Sequence, residues 1–160
     1  MFINEALTKL KNLKSKATRT EQYIDECAVH YEDATPEYNY QDELVNRTSI
    51  NLEILNLKTR IQITNTLTKV MYNNVEITLA ELILLNSQLR IEMAFVTKQM
   101  AHSISETSRY SLSRTKDDIK KVFAAGCSKV EFKKQLDQLE KNKEEIERVM
   151  ALANSSTKLV

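Results

Sequence analysis

The chain is 160 residues long, 42% hydrophobic and 28% charged, with a formal net charge of +1. That balance is globular rather than disordered, and it lacks the basic excess of a general DNA or RNA binder. One glycine, Gly126, and one proline, Pro36, stand in the whole chain, where ordinary usage supplies about ten and eight, so most loop-built catalytic sites are removed and a few long helices with little loop are expected.

Helix one is expected from about 3 to 31. Ile3, Ala6, Leu10, Leu13, Ala17, Thr20, Ile24, Cys27 and Tyr31 step by three and four throughout, the spacing of a heptad seam. Thr35-Pro36-Glu37 then reads as an N-cap, a proline at the first helical position and an acid suited to the helix dipole. Helix two is expected over 36–72, with Ile50, Ile54, Leu57, Ile61, Thr64, Thr68 and Met71 on its stripe. A second row, Leu52, Leu55, Leu67 and Val70, widens the apolar face and calls for neighbours on more than one side.

Asn73-Asn74 supplies the next turn, because asparagine tolerates the left-handed conformation. Thr78-Leu79-Ala80-Glu81 is a capping box for helix three, expected over 78–102. Its seam is Leu79, Leu82, Asn86, Leu89, Met93, Val96 and Met100. Asn86 on that seam either costs stability while selecting register, or sits at the rim of a curved bundle. Residues 103–127 are irregular and polar, either a short helix closed by Gly126 or an extended excursion. Ser128-Lys129-Val130-Glu131 opens a last helix, 128–154, with Phe132, Leu136, Leu139, Lys143, Ile146, Met150 and Ala153 on its seam. The final seven residues are a tail that docks or frays.

These elements make one all-α domain over 1–160, an elongated bundle of about four long helices with coiled-coil-like packing. Rods of this length have a thin core, so the broad apolar faces point to a homo-oligomer. Charge is laid out unevenly. Residues 1–19 carry a balance of +4 and residues 21–43 a balance of −8, which reads either as a solvated dipolar helix or as complementary ends that align subunits.

The run Lys58-Thr59-Arg60-Ile61-Gln62-Ile63-Thr64-Asn65-Thr66, followed by Thr78-Leu79-Ala80-Glu81, resembles the septicolysin-like bacterial family. The stretch Arg109-Tyr110-Ser111-Leu112-Ser113 and the closing helix from Lys133 to Thr157 resemble it too. The chain departs from the family pattern at Gln62, at the glycine-free turn Asn73-Asn74-Val75, at Asn86-Ser87 and at Ser155. The resemblance implies an all-helical oligomer and little about activity.

Catalytic chemistry is not written in the residues. A single glycine cannot form a phosphate loop. His30 and His102 are isolated, so no zinc or di-iron spacing exists, and neither a metal nor a cofactor is expected. Cys27 and His30 share a helix face, but no orienting group or oxyanion hole accompanies them, and no enzyme activity is expected. Cys27 and Cys127 lack a paired spacing and are read as free thiols of a reducing cytosol. The first residues are too charged for a signal peptide, and no stretch is apolar enough to span a bilayer, so the chain is expected to be cytoplasmic.

A polar cluster remains: Arg60, Asn65, Thr66 and Lys69 at the end of helix two, with Arg109, Tyr110, Ser111, Ser113 and Arg114 in the irregular segment. Arginine forks, hydroxyls and a phenol suit a phosphorylated, nucleotide-type ligand held where subunits meet. One concrete form is a phage sponge that sequesters a bacterial immune signal. The alternatives are a solvated loop with no ligand, a helical protein-interaction scaffold and, less favoured, a membrane-lytic protein.

Overall fold

The computed structural model describes residues 1–28, 37–104 and 129–160. Among them lie α1 (Ile3–Ala28), α2 (Tyr40–Leu67), β1 (Lys69–Tyr72), β2 (Val75–Thr78), α3 (Leu79–Ile104) and α4 (Lys129–Ser156). They form two compact units, residues 1–80 with 151–160, and residues 81–150.

In the first unit α1 and α2 pack antiparallel. The heptad seam of α1 is the buried face as expected: Ile3, Ala6, Leu13, Thr20 and Cys27 are all buried. Ala6 and Leu13 join Ile50, Leu57 and Ile61 of α2 in one apolar cluster, with Leu10, Ala17, Ile54 and Leu159 against it. Each fully buried Leu or Ile among them contributes about 1.5–3 kcal/mol on leaving water. Two ion pairs fix the register from outside, Lys9–Glu53 at 2.6 Å and Arg47–Glu21 at 2.9 Å. At the far end the Cys27 thiol donates to the Tyr38 carbonyl, and the rings of Tyr23 and Tyr38 stack at 4.1 Å.

Helix two is shorter than its hydrophobic pattern predicts at both ends. Its N-cap is Asn39, whose side-chain oxygen accepts from the Gln41 and Asp42 amides, so Glu37 precedes the helix; Thr35 and Pro36 lie outside the described residues. An asparagine cap with acids in the first turn satisfies orphan N–H groups as well as the expected threonine–proline start. At the other end α2 stops at Leu67, and 68–72 is not helical. Lys69–Tyr72 pairs antiparallel with Val75–Thr78, Tyr72 opposite Val75 and Lys69 opposite Thr78. Asn73 and Asn74 both take positive φ, 49° and 63°, the two-residue turn that matches strand twist. The Asn-Asn reversal was thus placed correctly but joins two strands rather than two helices. Thr68 ends α2 in extended backbone, and its carbonyl accepts from the Leu79 amide at 2.8 Å, which starts α3.

The tail docks. Phe2 and Lys158 form an antiparallel bridge, the Ile3 amide donates to the Thr157 carbonyl and the Leu159 amide to that of Met1.

In the second unit α3 and α4 run antiparallel, with Leu82, Asn86 and Val96 of one and Ile146 of the other buried. Arg90 reaches Glu147 at 3.1 Å. Asn86 is buried on the seam between helices of the same chain. Its amide nitrogen lies 3.9 Å from the Met150 sulfur, and its side-chain oxygen has no partner among the described residues. Helix three runs on to Ile104, two residues beyond its expected end. The rest of the expected irregular segment, 105–127, lies outside the described residues.

Candidate functional site

Of the nine residues assigned to a ligand, the structure describes Arg60, Asn65, Thr66 and Lys69. Arg109, Tyr110, Ser111, Ser113 and Arg114 lie outside the described residues.

The four described residues are not gathered into one pocket-facing set. Arg60 is exposed on α2 and its Nε donates to the Val160 backbone oxygen at 2.8 Å. One turn on, the buried Thr64 hydroxyl accepts from the Val160 amide at 3.1 Å and donates to the Arg60 carbonyl at 2.8 Å. Arg60 and Thr64 therefore grip both backbone groups of Val160, and a guanidinium read as a ligand fork serves a chain contact. Lys69 belongs to β1, not to helix two, and pairs with Glu76 across the hairpin at 2.7 Å. That contact holds its ammonium above the ordinary lysine range, the hydrogen bond to Glu76 first and its charge second. The Thr66 hydroxyl bonds back to the Gln62 carbonyl at 3.0 Å. Asn65 differs: its side-chain oxygen is buried and has no hydrogen-bond partner among the described residues, a demand for a donor that a chain normally meets.

A shallow depression of about 300 Å³ lies between α1 and α2, lined by Glu21, Ile24, Asp25, Leu44 and Arg47. Glu21 already neutralises Arg47, and Asp25 adds negative charge, so it does not suit a phosphate. Among the described residues no group of three or more His, Cys, Asp or Glu side chains could hold a metal ion. No described helix is long and apolar enough to cross a membrane.

A different surface stands out. The side of α2 turned away from α1 carries Val45, Leu52, Leu55, Ile63 and Leu67 with 46–70% of each residue exposed. Three of these were read from sequence as a second apolar row, and nothing among the described residues covers them. On α3 a smaller stripe, Leu84, Ile91 and Phe95, is likewise exposed at 54–69%.

Comparisons with known proteins bear on the fold. No curated protein matches the chain. A crystal structure of a functionally unknown conserved protein from Corynebacterium diphtheriae is similar to it, with a TM-score of 0.83 and 21% identity over 100% of this chain and 99% of that one. Such a likeness speaks for the fold alone. Residues 10–159 match a family described as a family of unknown function, DUF6847. The match spans nearly the whole chain, and the protein belongs to that family.

Proposed function

We propose that the protein is a non-enzymatic helical module of the cytoplasm that acts by associating with copies of itself, and that a small phosphorylated, nucleotide-type ligand is held where the copies meet. The observation that supports association is the apolar row of α2 that the described residues leave exposed, at a cost of about 25 cal/mol per Å² left in water. The ligand half of the reading rests on the unpartnered Asn65 oxygen, which asks for an N–H or O–H donor, and on the Arg109–Arg114 stretch with its hydroxyls. A sponge that sequesters a nucleotide signal is its most concrete form, and the septicolysin-like resemblance agrees with an oligomer.

Thermal shift against cyclic and ADP-ribose-type nucleotides tests it. A ligand at 100 times its dissociation constant stabilises by about 2.7 kcal/mol, and Arg109→Ala with Arg114→Ala abolishes the shift while the assembly mass is unchanged. No shift with any of the panel near 1 mM removes the ligand half.

A second reading, a scaffold for another protein, is favoured by one observation. Arg60 and Lys69 are both engaged within the chain, which leaves the described surface with fewer free cations for phosphate than the sequence suggested. Under that reading the same apolar row contacts a different partner, and nucleotides leave the melting temperature unmoved.

A further inference from the structure

We propose that Met150 is a modification site for peroxide, and that the Asn86 amide is placed to receive the oxygen which oxidation adds to its sulfur.

Asn86 is only 7% exposed, and a side chain so buried ordinarily has its polar atoms bonded. Its oxygen has no partner among the described residues. Its amide nitrogen reaches from α3 to the Met150 sulfur on α4, 3.9 Å away, and a thioether is a weak acceptor. One turn further along α3, Arg90 pairs with Glu147 of α4 at 3.1 Å, which holds the donor over the sulfur. In the reduced protein a good donor is therefore buried against a poor acceptor.

Met150 is part-exposed, so a small oxidant reaches it from water. The sulfur lone pair attacks one peroxide oxygen, and the sulfur–oxygen bond forms as the oxygen–oxygen bond breaks. The proton of the transferred hydroxyl passes to the departing hydroxide, and water leaves. Sulfur gives up two electrons and the peroxide takes them, which yields the sulfoxide.

A sulfoxide within a helix interface ordinarily disrupts it, because a polar oxygen enters apolar surroundings unpaired. Here the donor is already in place. An oxygen added on the side of α3 closes the gap from Asn86 to hydrogen-bond length. Sulfur also becomes a stereocentre, and only the epimer that turns its oxygen toward α3 is accommodated. Met1 and Met71 make the contrast: at 47% and 61% exposure, their sulfoxides stay in water and leave the packing alone.

The test compares the full chain as wild type, Asn86→Leu, Met150→Leu and the double variant, each before and after hydrogen peroxide. Peptide mass spectrometry reads the gain of one oxygen at Met150, and urea unfolding reads the midpoint. Met93 and Met100 are present in all four proteins, so the comparison isolates position 150. In the folded wild type Met150 is expected to take up one oxygen. Oxidation is expected to lower the midpoint of Asn86→Leu by about 1 M urea more than that of the wild type. With Met150→Leu in place, the identity of residue 86 should no longer alter the response to peroxide. An equal fall in wild type and Asn86→Leu overturns the proposal. So does a folded wild type whose Met150 stays unmodified while Met71 is converted. A dependence on residue 86 that persists without Met150 assigns the effect to another methionine and overturns it too. Should Asn86→Leu not fold, Asn86→Ala takes its place in the same comparison.

Discussion

Thr64 shows how much one side chain can carry. It is only 1% exposed, it closes its own helix turn, and it receives the Val160 amide. Thr64→Val keeps the shape but removes the acceptor, so about 1–2 kcal/mol of stability is expected to go, read from urea unfolding. Deleting 157–160 removes the same contact, and the two changes combined are expected to cost less than their sum. Full additivity would mean that the Thr64–Val160 contact contributes nothing to stability. Asn86 makes the opposite case. Its buried oxygen has no partner among the described residues, so Asn86→Leu is expected to raise stability by about 1 kcal/mol; a loss would mean that a donor reaches that oxygen in solution. Tyr38 carries the pH signature. Burial chiefly, then the hydrogen bond with Tyr23 and the charges of Glu37 and Glu26, push its phenol above the ordinary 10.0. Because the folded value is raised, the folded chain holds its proton longer, and stability present below pH 10 falls as pH rises through that group. In a titration at 295 nm, Tyr38→Phe should remove a component that ionises above the ordinary phenol value.

At the scale of elements, the sequence was readable wherever periodicity and burial agree. The seam residues of α1, α3 and α4 are the inward ones, because a three-four step admits no other face. Helix two was over-extended because Thr68 and Met71 happen to continue its stripe. The competing signal was present: Val70, Tyr72, Val75, Ile77 and Thr78 are strand formers around a two-residue Asn-Asn turn, and their pairing satisfied the backbone better than one more helical turn. Pattern reading favoured the longer period and missed the shorter one. Asn74→Gly is expected to keep the hairpin and leave stability equal or higher by up to about 1 kcal/mol. Asn74→Val, β-branched at a φ of 63°, should cost about 1–2 kcal/mol, both read as shifts in melting temperature. The candidate site was less legible. Sequence can list arginines and hydroxyls, but it cannot say that Arg60 is spent on Val160, 100 residues away, because that contact exists only once the tail has returned to α2.

At the largest scale, the described helices carry more apolar surface than their packing against one another covers. The buried cluster of the first unit draws on one side of α2, and the other side faces water with five large aliphatic residues. The excess was visible in the sequence as the row Leu52, Leu55 and Leu67. What the sequence could not fix was whether α1, α3, α4 or the hairpin would cover it, and among the described residues none does. The most direct test of self-association is the wild-type mass by light scattering across a dilution from 100 to about 1 μM, a range in which an interface of ordinary affinity stays occupied. Self-association predicts a stable multiple of 18.5 kDa throughout; a lone subunit of 18.5 kDa at every concentration would contradict it.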